Sequence, residues 1–356
     1  MTDKIDIPDE AVRVKPIFEK EPGREIADEV RAWVKRTGEP HLWRGHTHTK
    51  PPGVGTQPLY IGRYSLPVLQ GIQRWAPCPC CSPNNLKYFR EGRIAWFPEE
   101  RVIRNIGDKC YRTLNPEGHE LAERGLLTRE REERRRTYML ANFDKVRPMI
   151  EVAEKIVPIG QAVEAARRIL AARFDQLLPN AFWEYVRDGR VSIITRHKAP
   201  VQIRGEDEKE RWFELPEPYG SPLSGYLLFK RPGRSIVSGL KKSIIALGAI
   251  DFGEGFREHI EAMTTEHRAQ AERLFAKSRS EIERCRTVIA DEVGFFSAMN
   301  IATLKGWSLH RQCPAPIYID FSDGKMIVGR DQNSASPLEL PPDMWKRIPE
   351  LPALAG

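Results

Sequence analysis

A cluster of cysteines in the first third of the chain constrains its fold more than any other sequence feature. Cys78, Cys80 and Cys81 lie close together, and Cys110 and His119 follow. Two thiols separated by two residues, as in Cys78 and Cys81, form a knuckle that points both sulfurs at one metal ion. We therefore predict a structural zinc ion whose ligands are Cys78, Cys81, Cys110 and His119.

The spacing leaves the fourth ligand open. His119 follows Cys110 by nine residues. These two side chains meet only if the helix between them is interrupted, because nine residues make about two and a half helical turns. Asn115 and Pro116 supply such an interruption. Three other residues are alternatives for the fourth position: Cys80, His46 and His48.

The segment around the cysteines resembles a treble-clef zinc module over about residues 75–120. The resemblance rests on the knuckle, on strand-forming residues after it, and on Cys110 at the start of a predicted helix. It implies a zinc ion enclosed by protein ligands, which stabilises a fold, whereas a catalytic zinc ion keeps an open position. The chain departs from the usual treble clef because Cys110 and His119 are not closely spaced.

Periodicity and turn residues predict an α+β protein: a small N-terminal zinc-binding module, long helices that include a candidate coiled coil, and a small β-containing unit. We expect six segments: an N-terminal helix and loop region (1–58), the zinc-binding module (59–120), a helical region (121–180), a small β-containing unit (181–250), a long helix (251–300), and a C-terminal β-hairpin with a tail (301–356).

Several helices are predicted from apolar residues at helical spacing. The first is Arg24–Arg36, which Gly38 should end, and two more cover about 118–147 and 161–178. Pro148 and Pro158 are expected to interrupt the helices around them, because proline lacks an N–H group and clashes with the preceding turn.

The longest helical pattern begins at a capping box formed by Asp251 and Glu254 and continues to Phe296. If it is continuous, it spans on the order of 60 Å. A helix of this length either packs against residues 138–178 of its own chain or forms a coiled-coil arm with a partner.

Short β-strands are predicted on both sides of this helix and within the zinc-binding module. Glu91 and Gly92 read as a hairpin turn in the module. The predicted strands are Lys87–Arg90, Arg93–Phe97, Val191–Thr195, Gly225–Phe229, Ile317–Phe321 and Met326–Gly329.

The charge of the chain favours a polyanionic partner. Its formal net charge is +7, which promotes association with nucleic acid. One basic cluster has few acidic neighbours, and we predict that it contacts phosphates while Tyr226 and Phe229 stack on bases. Its members are Lys230, Arg231, Arg234, Lys241 and Lys242. The alternative is an ordinary basic turn on the surface.

The sequence thus predicts a zinc-binding protein that associates with DNA or RNA. The first alternative is a structural or adaptor protein that assembles through its long helices, with a protein partner or a second copy. An enzyme with a dispersed site is the third, because the sequence holds neither a phosphate-binding Gly-x-x-x-x-Gly-Lys-Ser/Thr loop nor Gly-x-Ser-x-Gly.

The N-terminal residues contain no apolar signal segment, and clustered cysteines suit a reducing compartment. We therefore expect a cytoplasmic protein that does not associate with membranes. The lack of low-complexity tracts favours a bacterial or phage origin.

Overall fold

The structure, a computed structural model, describes residues 7–14, 17–81, 89–201, 209–229, 234–315, 317–322 and 325–355. The chain divides into two units, Met1–Arg134 and Arg135–Gly356. Helices and strands occur in both units, which confirms the predicted mixture of helix and sheet. None of the helices in the described part of the chain combines the length and the apolar character that a bilayer crossing requires.

The N-terminal unit is built on a three-stranded antiparallel sheet with strand order β1-β4-β5. Its elements are α1 (Arg24–Thr37), β1 (Leu59–Ser65), β2 (Val68–Leu69), β3 (Ile72–Gln73), β4 (Glu91–Phe97), β5 (Val102–Gly107), α2 (Asp108–Leu114) and the first part of α3 (Pro116–Asn142). Helix α1 packs on β1 through a buried stripe of Ala27, Val30 and Val34. It ends at Gly38 in the left-handed conformation, as predicted.

The predicted turn at Glu91 and Gly92 is wrong, because both residues lie within β4. Gly92 pairs with Tyr64 of β1, and a side chain at position 92 would overlap the ring of that tyrosine. The glycine therefore serves a close approach between strands, not a change of direction. The strand predicted at Lys87–Arg90 lies partly outside the described residues, and Phe89 forms an isolated bridge with Ala76.

In the residues that the structure describes, the C-terminal unit contains five further helices and two sheets. The helices are α4 (Val146–Leu177), α5 (Ile236–Gly248), α6 (Phe256–Ala262), α7 (Thr265–Gly294) and α8 (Ala298–Ser308). The strands are β6 (Val186–Arg187), β7 (Arg190–Val201), β8 (Lys209–Tyr219), β9 (Tyr318–Ser322), β10 (Lys325–Gly329) and β11 (Ser336–Pro337). In the described residues, β6-β7-β8 and β11-β10-β9 form separate sheets, and the predicted C-terminal hairpin is confirmed as β9 and β10.

The predicted interruptions at Pro148 and Pro158 are wrong, since α4 continues through both residues. Pro148 lies in the first turn, where the N–H group that it lacks has no partner in the helix. Pro158 lies deeper, and the buried residues on both sides of it, such as Ile156 and Ile159, pack into the core of the unit. This packing stabilises the helix despite the missing hydrogen bond.

The predicted continuous helix from 251 to 296 is also wrong, because the chain breaks between α6 and α7. The side chain of Thr264 caps α7 by accepting a hydrogen bond from the backbone N–H of His267. Asp251 and Glu254 precede α6, and Asp251 accepts from Gly253 instead of forming a capping box. Helix α7 still has 30 residues, a length of about 45 Å.

Helix α7 packs against α4 and α5 of the same chain, which is the intrachain alternative of the sequence analysis. Phe143 and Phe275 stack in this core with ring centroids 5.1 Å apart. The strand predicted at Gly225–Phe229 is wrong, because Tyr226–Phe229 forms a 3₁₀ turn. The ring centroid of Phe229 lies 4.4 Å from that of Phe182, so the turn is held by aromatic packing.

Strands β7 and β8 form a long ribbon of eleven register pairs, from Val191–Tyr219 to Val201–Lys209. The N–H group of Ile194 donates to Gln312, outside the ribbon, so the N–H groups of every second residue point away from the partner strand. All three prolines of the ribbon occupy such outward positions: Pro200, Pro216 and Pro218. Proline at these positions blocks the pairing of another strand with the edges.

Candidate metal centre

Three thiols of the N-terminal unit come together as the spacing predicted. The sulfur atoms of Cys78, Cys81 and Cys110 all lie within 4.8 Å of one another. The knuckle is a turn in which the N–H group of Cys81 donates to the carbonyl of Cys78 at 3.2 Å. Three sulfur donors at this separation are able to hold one thiophilic metal ion.

The junction of β5 and α2 delivers Cys110 to the knuckle. Gly107 ends β5, and its backbone N–H group donates to the sulfur of Cys78 at 3.3 Å. Cys110 lies in the first turn of α2, and a Cβ atom on Gly107 would lie 3.1 Å from its sulfur. The glycine therefore lets the backbone approach both sulfurs, and its N–H group stabilises negative charge on Cys78.

The surroundings of Cys78 and Cys110 raise the pKa of both thiols. A hydrogen bond from Cys110 lowers the pKa of Cys78, but a hydrogen bond with Cys80 and burial outweigh it and raise that pKa to about 12. The hydrogen bond with Cys78, followed by burial, raises the pKa of Cys110. A bound divalent cation would reverse this balance, because it stabilises the thiolates directly. The donor set, three sulfurs within reach of one ion, fits a thiophilic metal ion.

Cys80 is partly buried, and its sulfur is not among the three that lie within 4.8 Å of one another. Charge on Cys80 raises the pKa of Tyr60 and of Tyr111, after burial as the main cause in both. The charge effect on the two tyrosines therefore does not place Cys80 among the metal ligands.

His119 is not in the group that the described residues form. Its Nδ1 atom lies 2.9 Å from the hydroxyl oxygen of Tyr60, and burial lowers its pKa. The interruption predicted before it is confirmed, because Asn115 caps α3 by accepting from the N–H group of Gly118 at 3.0 Å. His119 thus lies in the first turn of α3 and bonds to a tyrosine.

The alternatives His46 and His48 form a separate buried pair. The backbone N–H group of Asn105 donates to Nδ1 of His46 at 3.0 Å, so the proton of this imidazole is on Nε2. That nitrogen lies 2.8 Å from Nδ1 of His48. Both nitrogens of His46 are therefore engaged in hydrogen bonds within the described part of the chain, and the ring offers no lone pair to a metal ion.

Two buried arginines support the sheet under the site, and sequence reasoning missed both. Arg93 donates two hydrogen bonds to Glu123, at 2.8 and 2.9 Å. Arg104, which is fully buried, donates to Glu100 at 2.7 and 3.1 Å. The only sequence signal was the spacing of four between Glu100 and Arg104, which usually indicates a helix.

The aromatic residues of the module divide between core and surface. Trp96 and Phe97 are buried in the core of the unit. Trp75 remains 37% exposed. The first two residues therefore pack around the sheet and cannot form a recognition face.

The predicted phosphate-contacting residues lie in the C-terminal unit. Lys230 and Arg231 are outside the described residues, whereas Arg234, Lys241 and Lys242 are described and exposed. Glu281 of α7 lies near several cations: its pKa is lowered mainly by Arg284, and also by Arg234 and Lys242. Arg284 therefore lies near Glu281 together with Arg234 and Lys242, and sequence reasoning missed this arginine. Phe229 is partly buried and packs against Phe174 and Phe295 in the aromatic core.

Comparisons with protein-family models, with curated protein sequences and with solved structures give no significant match.

Proposed function

We propose that this chain is a zinc-binding, nucleic-acid-associated protein. In this proposal a structural zinc ion, held by Cys78, Cys81 and Cys110 with a fourth ligand, stabilises the N-terminal unit, and basic residues of the C-terminal unit contact phosphates. The observation that carries the zinc assignment is the mutual approach of three sulfurs from two separate parts of the chain, within 4.8 Å.

Zinc is the ion that this donor set favours. It binds thiolates in tetrahedral geometry and is the usual metal of structural cysteine sites. The ion would join the knuckle at Cys78 to the start of α2 at Cys110, beside the hydrogen bond that the N–H group of Gly107 donates to the sulfur of Cys78. Cys78 is fully buried. Loss of the ion would therefore remove the bonds that hold the three sulfurs together, and the knuckle and the start of α2 would become less stable.

Nucleic-acid binding is supported by charge. The chain carries a net charge of +7, and Arg234, Lys241 and Lys242 are exposed on and before α5. Exposed cations release the counterions of a nucleic acid when they contact its phosphates, which makes binding depend steeply on salt. Glu281 lies near Arg234 and partly offsets this charge, so we expect modest affinity without strong sequence preference.

The test is fluorescence anisotropy of the zinc-loaded full chain with short single- and double-stranded DNA and RNA, across a salt series. Replacing Arg234, Lys241 and Lys242 by Ala should lower the slope of log K against log salt by about 2 to 3. A matched control replaces three exposed cations elsewhere in the unit, namely Arg257, Arg273 and Lys277. An equal decrease of the salt slope in both variants, or no binding at low salt, would contradict the proposed nucleic-acid contact.

A second candidate function, that of a structural or adaptor protein, is supported by the ribbon of β7 and β8. Trp212, Phe213 and Leu215 are 63%, 40% and 48% exposed. Large apolar side chains on a two-stranded ribbon are costly in water, and they suit a protein surface. The prolines block its edges, so contact would use its faces.

The adaptor alternative predicts self-association that depends on these side chains. Light scattering over a concentration series should show an increasing mass for the full chain. Changing Trp212 and Phe213 to Ser should abolish the increase, whereas Ile245→Ser, at a residue that is 74% exposed, should not. A mass that stays constant with concentration would count against assembly with a second copy.

A further inference from the structure

Residues 346–355 of the C-terminal unit form neither a helix nor a strand, yet their sequence is periodic. It repeats a triplet of an apolar residue, a proline and a variable residue: Ile348-Pro-Glu, Leu351-Pro-Ala, and then Leu354-Ala. The backbone of Lys346 has polyproline II dihedrals, φ −66° and ψ 143°. Since polyproline II has three residues per turn, the repeat places the three apolar residues on one side of the segment. All three pack against the core of the unit.

Side chains of α7 bind the backbone of this segment at the same interval of three residues. Arg286 donates from Nε to the carbonyl of Pro349 at 2.8 Å. Arg279, about two helical turns earlier, donates to the carbonyl of Pro352 at 2.9 Å. Seven residues of helix rise about 10.5 Å, and three residues of polyproline II rise about 9.3 Å. Because the two spacings nearly match, the two arginines bind successive triplets.

The third triplet is bound by Asn142, which is fully buried at the end of α3. The N–H group of Ala355 donates to Oδ1 of Asn142 at 2.8 Å, and the amide group of Asn142 donates to the carbonyl of Ala355 at 3.4 Å. These bonds engage backbone groups alone, so they hold an extended chain whatever its side chains are. If the segment left, the buried Oδ1 atom would lose this partner, which is unfavourable unless another chain or water replaces it.

The prolines suit the positions at which the carbonyls are bound. Pro349 and Pro352 have no N–H group, so these residues leave no unpaired donor against the helix. The variable positions of the repeat, Glu350 and Ala353, are exposed. The contacts therefore select a ligand with an apolar residue, then a proline or a small residue, then any residue, in polyproline II conformation.

We propose that Asn142, Arg279 and Arg286 form a binding site for proline-containing peptides with the repeat apolar-Pro-x, and that residues 346–355 occupy this site within their own chain. We call it the triplet site. A partner protein that carries such a segment binds there by displacing residues 346–355. The covalent connection gives the chain's own segment an effective concentration on the order of millimolar, so a partner must compete with it.

The test is the binding of a fluorescent peptide with the sequence of residues 346–355 to the full chain, followed by anisotropy. Leu351→Asp and Leu354→Asp together weaken the chain's own segment and leave the triplet site unchanged. The peptide should bind this double variant at least tenfold more tightly than it binds the wild type. Adding Arg286→Ala should then weaken binding about tenfold, because a charged donor is lost. Lys277→Ala, at an exposed residue of α7, is the matched control.

Altered peptides test the interval of three residues while the protein stays the same. One glycine inserted between Pro349 and Glu350 displaces the second triplet from Arg279, and it should weaken binding to the double variant about tenfold. The matched peptide carries Glu350→Gln and should bind like the original, because this position is exposed.

A further measurement leaves the chain unaltered, so it holds even if the double variant does not fold. A peptide with Ala353→Val, which differs in mass from the chain's own segment, is added to the wild type at millimolar concentration. Hydrogen exchange of residues 350–355 of the chain should become faster as the peptide displaces them. A scrambled peptide of the same composition should have no effect.

Three results would overturn the proposal. Unchanged exchange of residues 350–355 in the wild type, or no binding to a folded double variant, would show that no peptide enters the triplet site. Equal binding of the glycine-insertion peptide, or binding that Arg286→Ala does not weaken, would refute recognition of successive triplets. Binding to the wild type as tight as to the double variant would refute occupation of the site by the chain's own segment.

Discussion

Acidification should loosen the N-terminal unit, because it contains histidines that are buried in the neutral form. His41 and His46 are only 6% and 4% exposed. Burial, followed by the charge of His48, lowers the pKa of His41 from 6.5 to about 4. The same causes lower the pKa of His46. Protonation of these rings therefore opposes folding.

The size of the effect follows from the pKa of His41. The folded pKa lies below the unfolded one, so between about pH 4 and pH 6.5 the unfolded chain binds a proton that the folded chain does not. The free energy of unfolding therefore falls as pH falls through this window. Between pH 7 and pH 4.5 the loss from His41 alone is about 2 kcal/mol, since each pKa unit corresponds to about 1.4 kcal/mol.

The substitution His41→Phe isolates this contribution. Nδ1 of His41 has no hydrogen-bond partner among the described residues, so phenylalanine removes no bond. We expect similar stability at pH 7 and about 2 kcal/mol more stability than the wild type at pH 4.5. The measurement is hydrogen exchange of peptides that cover residues 40–50 and 102–107 in the full chain, corrected for the intrinsic pH dependence of exchange.

The control for this experiment is His267→Phe, because His267 is exposed on α7. The pH dependence of hydrogen exchange in this variant should match that of the wild type. If His41→Phe loses protection with acid as steeply as the wild type does, burial of neutral His41 is not the cause, and the reasoning is refuted.

Three further substitutions test the packing and the ribbon. Glu100→Ala should cost about 3 kcal/mol in urea unfolding, because it leaves the buried charge of Arg104 without its carboxylate; a cost below about 1 kcal/mol would contradict this. Phe275→Ala should lower the free energy of unfolding by about 4 kcal/mol in the same assay, since the ring is fully buried and stacks on Phe143. A change near zero would contradict this, because it would mean that neighbouring side chains fill the space of the ring. Pro216→Thr should speed aggregation followed by light scattering, because it restores an outward N–H group at the edge of β8; an unchanged rate would refute the blocking role of this proline.

Signals that depend on neighbouring residues predicted the structure well. Gly38 ends α1, Asn115 and Pro116 separate α2 from α3, and Cys78 and Cys81 form a knuckle. In each case a residue within the segment determines the local structure: a glycine that tolerates the left-handed conformation, a side chain that caps a helix, or a pair of closely spaced thiols. These features need little from the rest of the chain.

The failures occurred where distant residues decide the outcome. Gly92 reads as a turn, but its role is set by Tyr64 on the neighbouring strand. Tyr226–Phe229 is a short apolar run like a buried strand, yet packing of Phe229 against Phe174 and Phe295 holds it in a 3₁₀ turn. The break before α7 is different, because the cap at Thr264 was readable from sequence, and the apolar periodicity across it obscured the signal.

The candidate site was predictable in its thiols and less so in its surroundings. Spacing indicated Cys78, Cys81 and Cys110, which the fold brings together. It could not identify the fourth ligand, because the candidates differ in contacts that the fold creates: His119 bonds with Tyr60, and His46 accepts from the backbone of β5.

The most direct test of the zinc assignment is the metal content of the full chain, purified without chelator or added metal, together with hydrogen exchange before and after chelation. The account predicts one zinc ion per chain, and loss of protection in peptides covering residues 76–81 and 102–114 when the ion is removed. A chain without metal, or one whose protection in these peptides is unchanged by complete metal removal, would contradict a structural zinc ion at the three-sulfur group.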